Sequence, residues 1–500
     1  MLETTATRPE DASEQSSLAR SGLIAFAGSV VNGLAAFLVI VAITNVLDDK
    51  TSSGLVFTAI ALFNIVFAVA ALGADVGLVR FTAQNRSSAV ALLKTAAIPA
   101  LMSSCLMAAA IAVARHPIAN ILSANDSDTL AQILLGMTPF VPLATLATVI
   151  LAGTRGLGTM TPTALADRIG KPISQLALVV FVSLLGAGPA GIGLAWSVSF
   201  AVSFALAVWW FWHLTSGRES DLAVTREEYW DFTAPQAATN VLYVLLRWAD
   251  VLLVAALAGE GPAAIYTAVS RLLIAGNFVN GAIVQAISPL VSKALGDNNR
   301  RGADDLLKTG TAWLVAAVWP GYLILALVGG PLLVTLFGDG YSTGATALTV
   351  LSFAMMVASG SGPIEAVLLM DGGSRLSLIN NLAAVTVMLT VDALLIPELG
   401  VRGAAIGWGA GLMITNVVPL IQVHRRLGIS PFGRAHLVAS AVGLACVGGP
   451  AALLRLTGAA TLLSVLGVAV VGYALHLALL SRFSTILKLD QLVSAVKSRG

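Results

Sequence analysis

Charge is scarce in this chain. Asp, Glu, Lys and Arg make up 11% of its 500 residues, whereas soluble domains carry about 25%. Hydrophobic residues account for 57%, and the mean hydropathy is +0.88. No polar stretch is long enough to form a soluble domain. The composition therefore predicts an all-α polytopic membrane protein.

Cysteine and histidine are also scarce. The two cysteines, Cys105 and Cys446, lie far apart in apolar runs, which excludes a disulfide framework and a cysteine metal site. His116 stands alone in the longest predicted outer loop, 115–128, which is too short to build the face of a membrane glycan polymerase. We therefore expect no enzyme activity, cofactor, metal or nucleic-acid partner, and keep a polymerase as the least favoured alternative.

Fourteen apolar runs approach the roughly 20 residues needed to span a bilayer. They are 21–46, 54–79, 95–114, 129–152, 172–187, 190–213, 234–258, 263–288, 309–328, 344–370, 377–396, 403–423, 437–455 and 459–481. With the N-terminus inside, 22 of the 28 Lys and Arg residues fall in inner segments and 4 in outer loops. Because basic residues favour cytoplasmic loops, this split predicts a multi-pass protein of the cytoplasmic membrane with both termini cytoplasmic.

An internal duplication is indicated by short matches at nearly one offset. Leu92–Thr95 recurs as Leu306–Thr309 and Pro117 as Pro331, both shifted by 214. The repeated unit spans six helices, an even number, so both copies insert the same way up. Repeats of this kind place a substrate site between them near the midplane. We predict a cytoplasmic tail (1–19), an N-lobe (20–213), a cytoplasmic linker (214–233), a C-lobe (234–424) and two further helices with a cytoplasmic tail (425–500).

Two arginines remain outside the loops. Arg247 lies in the seventh predicted helix and Arg271 in the eighth, roughly 16 Å and 12 Å from the outer ends at 1.5 Å per residue. Ionisable residues at membrane depth usually face a bundle interior or an aqueous cavity, and guanidinium groups bind phosphate oxygens in a bidentate manner. Both therefore qualify as substrate-binding residues, unless Asp250, three residues from Arg247, neutralises it as a structural pair.

Other polar residues in the apolar runs are weaker candidates. Asp250, Glu365, Asp392 and Asp75 qualify for proton or cation coupling, although each also fits an interfacial or hydrogen-bonded structural role. Asn240, Asn277 and Asn280 qualify for binding sugar hydroxyls, with hydrogen bonding between helices as the alternative. Helices one and three to six hold no carboxylate, which disfavours a multidrug or organic-cation exporter and favours an anionic cargo.

Three short sequence segments, here called phrases, and the order of two six-helix repeats followed by two helices resemble one known family. It is the polysaccharide-transporter (oligosaccharide flippase) family of the multidrug/oligosaccharidyl-lipid/polysaccharide exporter superfamily. The phrases are Leu72–Arg80, Leu336–Tyr341 and Ile396–Ala405, and the resemblance covers about residues 20–425. Some relatives that use sodium carry an Asp and an Asn one turn apart on helix eleven. This chain departs from that pattern, because Asn380 and Asn381 are followed four positions on by Ala384 and Val385.

The resemblance implies a flippase that moves a lipid-linked oligosaccharide or a cell-wall or polysaccharide precursor by alternating access of two lobes. Lipopolysaccharide biosynthesis is one pathway of this kind. The implied partners are the lipid-linked glycan, the membrane lipids and a glycan polymerase or ligase. An organic-cation exporter of the same superfamily remains the main alternative.

Overall fold

The computed structural model describes residues 9–47, 49–216, 224–273 and 275–488, with side chains except at 9–27, 275 and 277. Most of the predicted terminal tails and part of the linker lie outside these residues. Within them the chain is helical and contains no strand. The predicted all-α architecture of about fourteen membrane helices is confirmed.

The fourteen helices are numbered α1 to α14, and a and b mark segments separated by a break. The first seven are α1 (Pro9–Val46), α2a (Lys50–Ala70), α2b (Ala74–Gln84), α3 (Ala89–Val113), α4 (Ser127–Met137 and Val141–Gly156), α5 (Thr163–Gly170 and Lys171–Leu184), α6 (Pro189–Thr215) and α7 (Arg226–Ala258). The others are α8a (Glu260–Leu272), α8b (Ala275–Gly296), α9 (Arg300–Val328), α10a (Ala345–Gly360), α10b (Ile364–Met370), α11 (Ser374–Leu399), α12 (Val401–Leu427), α13 (Arg434–Leu456) and α14 (Leu462–Arg482).

Thirteen helices among the described residues are long and apolar enough to cross a membrane. The exception is α5, whose apolar run was also the shortest in the sequence. Its first eight residues, Thr163–Gly170, form a π-helical segment that joins the α-helix at Lys171. The helix therefore begins near residue 163, and it includes charged residues that the sequence had placed in a loop.

Two helices depart from their predicted bounds for local reasons. Helix α7 begins at Arg226 rather than near residue 234, because the Thr225 side chain accepts a hydrogen bond from the amide of Glu228 and caps the helix. The tenth predicted helix divides at Ser361–Pro363, where Gly362 adopts a positive φ of 65°. Glu365 therefore begins a separate segment, α10b.

Helices α1–α6 (the first half) contact α7–α12 (the second half) along α2. Helix α2a packs against α7 and α8a, and α2b against α7. The Tyr229 hydroxyl donates to the carbonyl of Ala74 at 2.7 Å. A Cβ on Gly77 would lie 2.2 Å from the Thr233 hydroxyl oxygen, so glycine permits this close approach.

One end of the bundle carries most of the Lys and Arg residues, and we call it the Lys/Arg-rich face. At the opposite face the two halves also touch. Asn45 donates to the carbonyl of Leu336 at 2.8 Å, and Lys50 donates to that of Gly340 at 3.2 Å. The rings of Phe37 and Phe337 lie 6.1 Å apart. These contacts join the two halves at the opposite face.

Candidate functional site

The two predicted arginines lie near each other on adjacent helices. Arg247 is exposed on α7, and Arg271 is half-buried near the end of α8a. The guanidinium carbon of Arg271 lies 4.3 Å from the centroid of the Trp248 ring, a cation–π contact. Arg271 is close enough to Arg247 for their positive charges to interact. Its Nε is buried without a hydrogen-bond partner among the described residues.

Asp250 does not neutralise Arg247. It is 3% exposed, and its Oδ2 accepts a hydrogen bond from the Tyr266 hydroxyl at 2.6 Å. Its Oδ1 accepts from the amide of Val251 at 2.8 Å. No Arg247–Asp250 ion pair is found in the described part of the chain, so that alternative is wrong. The carboxylate contacts Tyr266 of α8a and interacts electrostatically with Arg271, whereas Arg247 is exposed.

Asp392 on α11 is fully buried. Neither carboxylate oxygen has a hydrogen-bond partner within the described ranges. A Cβ on Gly407 of α12 would lie 1.9 Å from Oδ1, so glycine makes room for this carboxylate. Asp392 interacts electrostatically with Asp250 and Tyr266. Two carboxylates from α7 and α11 thus converge on one tyrosine of α8a.

Glu365 lies elsewhere in the second half. It accepts hydrogen bonds from Tyr243 at 3.1 Å, from Ser377 at 2.8 Å and from Asn381 at 3.5 Å. On α11, Asn381 precedes Asp392 by eleven residues, roughly 16 Å along the helix. These donors give Glu365 a structural role that joins α7, α10b and α11.

The remaining predicted residues divide by position. Asn240 is half-buried and, with Tyr243, Arg247 and Asp250, forms a stripe on one face of α7, since their spacing follows the helical repeat. Asn280 is exposed on α8b, and the side chain of Asn277 lies outside the described part. Neither Asn240 nor Asn280 forms a hydrogen bond among the described residues. Asp75 lies in the first half, away from the arginine pair.

Sequence reasoning missed both tyrosines of this region. Tyr266 is 1% exposed and bridges α8a to Asp250, and Tyr243 contacts Glu365. Their spacing from the charged residues gives no signal, because each contact joins different helices. A tyrosine within an apolar run beside an intramembrane carboxylate is the available hint, since a buried hydroxyl usually finds a partner.

A third carboxylate, Glu260, joins the halves at the opposite face. It is fully buried at the start of α8a. Its side chain accepts a hydrogen bond from the Ser123 hydroxyl, and the Asn125 amide nitrogens donate to it at 3.0 Å from the backbone and 2.7 Å from the side chain. Burial raises the pKa of Glu260, but these donors outweigh burial and hold the pKa below its ordinary value.

We expect Glu260→Gln to open the opposite face, because a neutral amide replaces the carboxylate that accepts these hydrogen bonds. Spin labels at Ala124→Cys and Ser342→Cys, with both native cysteines replaced, report the distance between the halves. The distribution should shift to longer distances in Glu260→Gln and stay unchanged in Glu398→Gln, an exposed carboxylate on the same face.

The contact should also be insensitive to pH near neutrality. A carboxylate whose pKa is lowered in the folded protein stabilises it above the unfolded pKa, and this is lost as the pH falls through the folded value. The wild-type distribution should therefore stay constant between about pH 5.5 and 8, since an ordinary Glu titrates near 4.3. An opening within that range would contradict the assignment.

The arrangement of membrane helices is shared with solved structures of low sequence identity. The fold is similar to that of a lipid II flippase, MurJ, in an inward closed conformation, with a TM-score of 0.68 and 14% identity over 92% of this chain and 100% of that one. An inward-facing multidrug resistance MATE family transporter of the MOP superfamily gives a TM-score of 0.62 and 15% identity over 79% of this chain and 94% of that one.

A third similar structure is a MOP superfamily transporter from Pyrococcus furiosus, described as having a binding pocket of reverse polarity. Its TM-score is 0.57, with 16% identity over 82% of this chain and 96% of that one. At such identities the likeness concerns the fold. A search of curated protein sequences found no match.

The family follows from the sequence itself. Residues 18–295 match the polysaccharide biosynthesis protein family, and the chain belongs to that family. The resemblance stated from the three phrases is confirmed, as is the assignment to a multi-pass membrane protein.

Proposed function

We propose that this protein is a flippase for a lipid-linked oligosaccharide or a cell-wall or polysaccharide precursor, lipopolysaccharide precursors included. The observation that carries the proposal is the pair Arg247 and Arg271, two guanidinium groups within electrostatic range of each other at membrane depth. Positive charges held together in a membrane are costly, and an anionic ligand offsets that cost. A lipid-linked glycan carries a phosphate or diphosphate that provides such a charge.

The two arginines suit this cargo in complementary ways. Arg271 is held against Trp248, which orients its guanidinium, and Arg247 is exposed and free of the ion pair with Asp250. Planar guanidinium groups bind phosphate oxygens in a bidentate manner. Asn240, on the same face of α7, and Asn277 and Asn280, on α8b, supply amides for the sugar hydroxyls.

Transport proceeds by alternating access of the two lobes, 20–213 and 234–424. The closed contacts at the opposite face support a state that receives cargo at the Lys/Arg-rich face. In this proposal that face is cytoplasmic, as are both termini and the linker. The cargo therefore enters from the cytoplasmic side of the cytoplasmic membrane. A glycan polymerase or ligase acting beyond the membrane would consume the cargo.

The coupling ion binds between Asp250 and Asp392. Their carboxylates interact in a buried region, where like charges repel strongly unless a proton or cation intervenes. Arg271 interacts with Asp250 but is not among the groups that act on Asp392. The Tyr266 hydroxyl is committed to Asp250, so Asp392 keeps both oxygens available. Glu365 is satisfied by three donors, and Asp75 lies in the other half, so neither belongs to this ion site.

An organic-cation exporter is the second candidate, because Asp250 and Asp392 supply buried negative charge of the kind that a cationic drug requires. The two cargoes are distinguished in proteoliposomes. We expect translocation of a fluorescent polyprenyl-diphosphate disaccharide and none of ethidium. Ethidium transport without movement of the lipid-linked probe would replace the proposal with the exporter.

The orientation is tested by cysteine accessibility in a chain carrying Cys105→Ser and Cys446→Ala. We expect Ser87→Cys, between α2b and α3, to resist a membrane-impermeant maleimide in intact cells. Thr457→Cys, between α13 and α14, should react. Both positions are exposed, so access to the reagent decides the outcome. The reverse labelling would overturn the cytoplasmic assignment of the Lys/Arg-rich face.

A further inference from the structure

A second group of charged side chains lies inside the first half of the protein. Arg155 is at the end of α4, Asp167 and Arg168 are in the π-helical segment of α5, and Lys171 follows them. All four are half-buried. The sequence had assigned these three cations to cytoplasmic loops, because the apolar run of α5 begins only at residue 172. Helix α5 instead includes Arg168 and Lys171.

Contacts from several helices surround this cluster. An Arg168 guanidinium nitrogen donates to the Ser29 hydroxyl of α1 at 2.7 Å. The Lys171 ammonium lies 5.2 Å from the centroid of the Phe200 ring of α6. Arg155 interacts electrostatically with Asp75 of α2b. Residues of α1, α2b, α4, α5 and α6 therefore surround the cluster.

The basic groups of the cluster differ in the partners that they use. Lys171 forms an ion pair with Asp167, whose side chain is 41% exposed. Arg155 forms neither a hydrogen bond nor an ion pair within the described part of the chain, and its Nε is buried without a partner. Arg155 interacts electrostatically with Asp75 and Asp167, but its guanidinium contacts neither, so its donors are available to a ligand.

We propose that Arg155, Arg168 and Lys171 form a second anion-binding subsite that takes a phosphate group. The inference rests on the proposed function and extends it, because it places a phosphate site in the first half as well as in the second. The phosphate belongs to a polyprenyl-linked cargo or to an anionic phospholipid of the same leaflet. Asp167 limits the net charge, so the site releases the anion rather than trapping it.

Arg155→Gln is the informative variant, because it removes the unpaired guanidinium and leaves the Lys171–Asp167 ion pair intact. Binding of a polyprenyl phosphate and of phosphatidylglycerol is measured separately, on the full chain in phosphatidylcholine nanodiscs. We expect the affinity for at least one lipid to fall on the order of tenfold or more, the effect of losing a charged hydrogen bond. Lys94→Gln, an exposed cation on α3, is the matched control and should change neither affinity.

The two lipids identify the source of the phosphate. A loss confined to polyprenyl phosphate assigns the subsite to the cargo, and a loss that extends to phosphatidylglycerol assigns it to phospholipid as well. Arg155→Lys should give an intermediate loss, since the charge remains while bidentate contact is lost. It serves as the test if Arg155→Gln fails to insert.

Arg271→Gln separates this inference from the proposed function. If Arg271→Gln weakens binding of polyprenyl phosphate while both Arg155 variants bind both lipids like the wild type, the second subsite is overturned and the flippase proposal stands. If none of these variants changes the binding of either lipid, both proposals fail.

Discussion

Arg271→Gln should abolish translocation of the lipid-linked probe while the protein still inserts and folds. The substitution removes a half-buried positive charge, which is costly in a membrane. It also removes a cation that interacts with Asp250, but Asp250 keeps its hydrogen bonds from Tyr266 and Val251, so we expect the variant to fold. The substitution also removes the guanidinium held against Trp248. Losing one charged hydrogen bond costs about 1.5–3 kcal/mol, or roughly tenfold to more than a hundredfold in affinity. The measurement is the initial rate in proteoliposomes containing equal amounts of folded protein.

Graded variants distinguish charge from geometry at this position. Arg271→Lys should retain part of the activity, because a point charge remains while the fork is lost. Arg402→Gln, an exposed cation at the opposite face, should transport like the wild type. Arg247→Gln should also fold, since Asp250 keeps its hydrogen bond from Tyr266, and it should lose transport. Full activity in both Arg271→Gln and Arg247→Gln would remove the phosphate site.

Asp392→Asn should uncouple transport from the ion gradient. Its carboxylate is buried without a hydrogen-bond partner among the described residues and lies near Asp250. Neutralising it relieves the repulsion, so the melting temperature should rise, while the response to an imposed proton or sodium gradient should disappear. Asp250→Asn should have the same effect on the response, because it removes the other carboxylate of the pair. Transport is measured with and without each gradient.

Glu365→Gln is the matched control for that experiment. It neutralises a carboxylate of the same half that is held by three donors and lies away from the Asp250–Asp392 pair. Its gradient response should match that of the wild type. If Glu365→Gln uncouples transport and Asp392→Asn does not, the ion site lies at α10b instead.

Helix number and type were predictable from the sequence because they depend on local apolar runs. The nearness of Arg247 and Arg271 on adjacent helices also followed from counting residues along the two helices. The partners of the side chains did not follow from the sequence. Arg247 is near Asp250 along the chain, whereas Tyr266 lies on another helix. Its pairing with Tyr266 rather than Arg247 depends on how α8a packs against α7.

The cluster at the start of α5 shows a different limit. Charged residues before an apolar run normally indicate a loop, and Asp167, Arg168 and Lys171 fit that pattern. A π-helical segment extends the helix through them, and contacts with α1 and α6 hold them inside the bundle. A hydropathy profile does not identify this charged segment as part of a helix, because tertiary contacts rather than its own composition hold it there.

The eighth helix has two segments, α8a and α8b, and they pack against different halves of the protein. Helix α8a packs chiefly against α2a of the first half, whereas α8b packs chiefly against α9 of the second. The Tyr322 hydroxyl of α9 donates to the carbonyl of Leu273 at 3.3 Å, where the helix is interrupted. A displacement of one half relative to the other would therefore bend the eighth helix at this joint.

Arg271 lies on the α8a side of the joint, two residues before Leu273, and Arg247 lies on α7. If α8a travels with the first half, the separation between the two guanidinium groups changes with every cycle. Affinity for a phosphate held between them then becomes a function of conformation, strong when the charges converge and weak when they part. The work of releasing a tightly bound anion would come from the movement of the helices themselves.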